Sequence, residues 1–203
     1  MRSIVFCSVA GLMSLEPTLR TDHLVVRQRE ETYQVSGQSL TELADALRES
    51  RRASEGRGGF DAYTRWTLHL PPAPTPCRLG DLKLQVSIVV TLPVISRDTE
   101  LSDADRLAWN AFAQALSDHE DEHLRLIRGE LAAFSSRLGS APTCGRLALE
   151  TAMLDRRILR ASALLDARTG HGANSGASLE RFESRSSSGS AGGISTSSDP
   201  PKP

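Results

Sequence analysis

The chain has 203 residues, 39% hydrophobic and 24% charged, the composition of a soluble globular protein with one domain and a buried core. Its 24 Lys and Arg against 25 Asp and Glu leave a formal charge of -1, which excludes a global field recruiting nucleic acid or an anionic membrane, so binding must come from a local site. No apolar run reaches the roughly 20 residues of a bilayer span, which excludes a membrane-spanning helix.

Arg2 followed by the apolar stretch Ile4 to Met13 reads as a short export signal over residues 1–20, against the alternative of a buried first strand. Cys77 and Cys144 then remain as a pair, suited to an oxidising compartment and too far apart for a Cys-based zinc site; they form either a disulfide or two buried thiols. The chain is therefore expected to be secreted or periplasmic.

Loose alternation from Leu24 to Val35, with Val26, Tyr33 and Val35 on one face, predicts a strand. Ser39 and Glu42 form a capping box ahead of a short helix with Leu40, Leu43, Ala44 and Leu47 as its inner stripe. Glu55 to Gly59 reads as a Gly-rich loop and Phe60 to Leu70 as a second strand, ended by the prolines from Pro71 to Pro76. Leu82, Leu84, Val86, Ile88, Val90 and Leu92 form the clearest period-two run, and the connection before it is too short for a crossover helix, which favours antiparallel pairing.

After Ser102 the period becomes helical. Asp103 and Asp105 occupy the first turn, Leu116, His119, His123, Ile127, Leu131, Phe134 and Leu138 share one face, and Gly139 and Pro142 stop the helix. A second long helix spans about Cys144 to Ala167, and Gly170 supplies its stop. Residues 184–203 are almost devoid of apolar side chains and read as a disordered tail, leaving 21–180 as a single domain. The expected fold class is α+β, a small antiparallel sheet packed against two long C-terminal helices.

His119-Glu120-Asp121-Glu122-His123 matches H-E-x-x-H. The four-residue step puts both imidazoles on one face of a helix, one turn apart, where they can share an ion, and Glu120 lies about 100° further round, within reach of a zinc-held water. The competing reading is two satisfied core histidines. Catalytic zinc takes three protein ligands and keeps an open position. The spacing H-E-x-x-H-x-x-G-x-x-H needs a histidine at 129, where Gly129 stands; Glu150 on the next helix and His171 between glycines remain as third-ligand candidates, while His23 and His69 read as surface or strand-face residues.

Taken together, Tyr33-Gln34-Val35-Ser36-Gly37, Tyr63-Thr64-Arg65-Trp66, Cys77, Leu92-Pro93, Trp109, the motif helix, Cys144 and Asp166-Ala167-Arg168-Thr169-Gly170-His171-Gly172 resemble the DUF922 family over about Tyr33 to Ala177. That resemblance implies a zincin-like, secreted bacterial zinc protease. It selects His171 over Glu150 as third ligand beside His119 and His123, keeps Glu120 as general base, and gives Asp166 the task of orienting an imidazole. Leu165 stands where the family tends to have Tyr, and Asn174-Ser175-Gly176-Ala177 replaces its Gln-Gly-Ala ending. The expected function is zinc-dependent hydrolysis of peptide bonds in a peptide or protein substrate. The alternatives are a zinc-stabilised binding module without catalysis and a metal-dependent cell-wall amidase.

Overall fold

The computed structural model describes residues 20–21, 23–53, 60–138 and 143–179. Of the expectations above, the signal (but for Arg20), the loop Glu55 to Gly59, the stop at Gly139 and Pro142, and the tail over 184–203 lie outside the described residues.

The elements in chain order are β1 (Arg20–Thr21), β2 (Leu24–Val35), α1 (Leu40–Ala53), β3 (Tyr63–His69), β4 (Leu84–Ile95), α2 (Asp103–Leu138) and α3 (Cys144–Thr169). Local chemistry sets the helix ends. The Ser39 hydroxyl accepts from the Glu42 amide, and the Glu42 carboxylate reaches back to the Gln38 amide, the reciprocal capping that the sequence announces. Ser102 and Thr143 cap α2 and α3 in the same way, their hydroxyls accepting from the amides of Asp105 and Arg146. Gly170 closes α3 in the left-handed region at φ 58°, which glycine adopts without steric cost.

The sheet is mixed, with strand order β1-β2-β4-β3. β3 and β4 pair antiparallel, from Tyr63 opposite Thr91 to His69 opposite Gln85, as the short connection predicts. β2 and β4 pair in parallel, from Leu24 opposite Leu84 to Val35 opposite Ile95, which corrects the expectation of an antiparallel sheet throughout. The reason is topological: α1 and β3 both lie between β2 and β4 in the chain, so β4 returns in the direction of β2.

Two apolar clusters hold the molecule. In the first, Leu84, Val86, Ile88 and Val90 of β4 and Leu24 and Val26 of β2 pack on Leu124, Ile127, Leu131 and Phe134 of α2 and on Leu147, Leu154 and Ile158 of α3. In the second, α1 contributes Leu43, Ala44 and Leu47 against Trp109, Phe112 and Leu116 from the start of α2. Each fully buried side chain of this size contributes about 1.5–3 kcal/mol. Val26 and Val35, read from the sequence as one face, belong to different clusters, because an odd separation along β2 turns their side chains to opposite faces.

A disulfide joins Cys77, in the connection between β3 and β4, to Cys144 at the start of α3. Among the described residues no helix is long and apolar enough to cross a membrane.

Candidate metal centre

Residues 119–123 lie on α2 between the stretches that feed the two clusters, and there the buried face turns polar: His119, Glu120 and His123 are all buried. The helical step brings the two imidazoles side by side, centroids 4.8 Å apart and planes at 81°. The last turn of α3 delivers Asp166 to the same point, where its Oδ1 lies 3.2 Å from His119 Nε2 and 3.0 Å from His123 Nε2. Ligand atoms of these three residues all lie within 4.8 Å of one another.

This donor set fits zinc. Bond lengths of about 2.0–2.2 Å in a tetrahedron separate ligand atoms by about 3.3 Å, close to both carboxylate–imidazole distances, and two imidazoles with one carboxylate is a catalytic zinc set that leaves the fourth position open. Asp166 Oδ1 lies within hydrogen-bond distance of both imidazoles, as an orienting carboxylate would, and the same oxygen is placed to serve as a third ligand.

His171, the third ligand expected from the resemblance, lies beside this group of three and not within it. Its Nδ1 is 3.5 Å from the same Asp166 oxygen, its side chain is 53% exposed, and its ring stacks on Phe60 with centroids 4.7 Å apart. Its backbone is left-handed at φ 54°, between Gly170 and Gly172, which also have positive φ. Gly172 is required sterically as well as conformationally: a Cβ there would meet Ala177 Cβ at 2.9 Å and His119 Cγ at 3.1 Å, so a side chain at 172 would displace the His119 ring.

Glu150, the other third-ligand candidate, is engaged elsewhere. It is 5% exposed and pairs with Arg146 at 3.0 Å, Arg157 at 3.2 Å and Arg137 at 3.4 Å, bridging α2 and α3. Sixteen residues before Asp166 on the same helix, it stands about 24 Å away along the axis. His69 is exposed at the end of β3, and the His23 carbonyl accepts from the Leu84 amide, both outside the cluster.

The Glu120 carboxyl is 3% exposed and accepts a 2.7 Å hydrogen bond from the Thr64 hydroxyl of β3. Burial pushes it up to about 7, against the lowering effect of the Thr64 hydroxyl. Burial also pushes His119 down, helped by the neighbouring His123 and opposed by Asp166. Depressed basicity favours the neutral imidazole, the form that ligates metal. The Thr64 contact, 56 residues apart in the chain, has no signature that sequence spacing could reveal.

His119, Glu120, His123, Asp166 and His171 all line one cavity of about 580 Å³, walled also by α1, β3 and the residues after α3. A buried carboxyl and a metal-capable triad thus share one concave opening. Residues 30–172 match the family model described as "bacterial protein of unknown function (DUF922)". No curated protein and no solved structure matches the chain.

Proposed function

We propose that this chain, which belongs to the DUF922 family of bacterial proteins, is a zincin-like, zinc-dependent hydrolase of peptide bonds. The observation that carries the reading is the convergence of His119 Nε2, His123 Nε2 and Asp166 Oδ1 beside the buried Glu120 carboxyl, all facing one cavity. His119, His123 and Asp166 would hold the zinc, with His171 as a further donor at the cavity mouth. When bound, the ion polarises the scissile carbonyl and acidifies water.

The chain's own residues supply the proton handling. Glu120, with its carboxyl near neutrality in affinity for a proton, takes one from the attacking water and returns it to the leaving amine. The Thr64 hydroxyl holds Oε2 of that carboxyl, leaving Oε1 for the proton. Burial of His119, Glu120 and His123 keeps bulk water from screening their interactions. The Cys77–Cys144 bond supports placing the protein in a secreted or periplasmic setting.

The test is a pair of measurements on the full chain. Purified protein binds about one zinc per chain, and Glu120→Gln keeps that zinc while losing peptide hydrolysis. Retained hydrolysis in that variant rejects the assigned base. Asp166→Ala lowers zinc affinity by about a hundredfold or more and His171→Ala by about tenfold; the reverse order would make His171 the principal third ligand. A second reading, a binding module with a purely structural zinc, draws on the 3% exposure of Glu120, and inert zinc-loaded protein would favour it.

A further inference from the structure

One wall of the cavity is apolar and open, and it begins within a turn of the metal-capable cluster. On α3, Leu159, Ala163 and Asp166 follow at steps of four and three, so the face that ends in the carboxylate starts with two apolar side chains. Leu159 is 52% exposed, so a ligand in the cavity can cover it. Trp66 of β3 lines the same cavity, and its indole Nε1 donates to Asp155 Oδ1 at 3.1 Å. Asp155 precedes Leu159 by one turn, so this bond ties the indole to α3 near Leu159.

Charged groups also line the cavity. Among the described residues Arg51 is the lining cation apart from the imidazoles, and its Nε lies 3.2 Å from Asp61 Oδ1. Asp61, Glu120 and Asp166 contribute carboxyls. An uncharged aliphatic or aromatic side chain would cover Leu159, Ala163 and the indole and release their water, whereas a carboxylate there would lose hydration against an apolar surface.

We infer that Trp66, Leu159 and Ala163 form a subsite for an apolar side chain of the substrate. The substrates are then polypeptide segments with an aliphatic or aromatic residue next to the cleaved bond. This inference rests on the peptidase reading for its chemistry, but the subsite can be probed without it.

Trp66 serves as the reporter, since the second tryptophan, Trp109, is only 4% exposed within the second cluster. Full-length protein in chelator is titrated with N-acetyl-leucine amide, N-acetyl-phenylalanine amide and N-acetyl-aspartate amide. The apolar amides should blue-shift the emission and shield it from acrylamide at about tenfold lower concentration than the acidic one. Leu159→Gln, at a half-exposed position, should weaken both apolar amides by about tenfold, and Leu159→Ala by less. Equal response to the acidic amide, no response to any amide, or unchanged titrations in both variants overturns the subsite.

The second arm offers a mixture of peptides to the zinc-loaded chain and reads the residues flanking each cut. Cuts beside apolar residues, with that preference reduced in Leu159→Gln, support the inference. Cuts without apolar preference overturn it and leave the peptidase reading standing. Absence of cutting, with the amide titrations as expected, overturns the peptidase reading and leaves the subsite standing.

Discussion

Glu120 sits where two demands conflict: its burial favours the neutral carboxylic acid, while the chemistry assigned to it needs the anion. In metal-free protein this has a measurable sign. The folded chain holds the Glu120 proton up to about pH 7, against an ordinary value of 4.5, so Glu120 stabilises the fold below about pH 4.5 and that contribution is lost as pH rises through 7. His119, pushed down, acts on the acid side, where protonation costs the fold. Glu120→Gln removes the first effect alone. In chelator, its melting temperature should gain on that of the parent between pH 4.5 and 7; a difference constant with pH would show that the carboxyl is not the buried acid described. At this scale the sequence revealed His119, Glu120 and His123, because a four-residue step is a local property of a helix. It offered Glu150 and His171 as third ligands and gave Asp166 only the orienting of an imidazole, because which part of α3 meets the middle of α2 depends on how the two helices pack.

The pairing of α2 with α3 shows how element packing assigns roles to charged residues. Glu150 and Glu130 on one side and Arg137, Arg146 and Arg157 on the other form a linked set, with Glu130 bridging Arg137 at 3.2 Å and Arg157 at 3.3 Å. The guanidiniums are 24–49% exposed, so water screens much of the attraction. Glu150→Ala should therefore cost about 2 kcal/mol, below the usual toll of a fully buried pair, while leaving zinc affinity unchanged. Urea unfolding and a zinc titration on the same variant check both halves; a fall in zinc affinity would return Glu150 to the ligand set. Helix and strand locations were largely legible, since periods of two and near four dominate β4 and α2. The parallel pairing of β2 with β4 was not, because alternation marks a strand without naming its partner.

For the whole molecule, the Cys77–Cys144 bond closes a loop of 67 residues that contains β4 and all of α2. Loop-closure entropy sets an upper bound of about 4 kcal/mol on its contribution, so the double variant Cys77→Ser, Cys144→Ser should unfold at markedly lower urea. Zinc affinity should persist, since Cys144 and Asp166 are about 33 Å apart along α3. Loss of zinc in the folded double variant would mean that the crosslink sets the helix register at the site.

The seam between the two apolar clusters has a mechanical meaning. The clusters grip α2 on either side of residues 119–123, so flexing the helix at that point parts one half from the other without opening either. That seam coincides with the metal-capable residues, so a cation held between α2 and α3 would act as a splint across it.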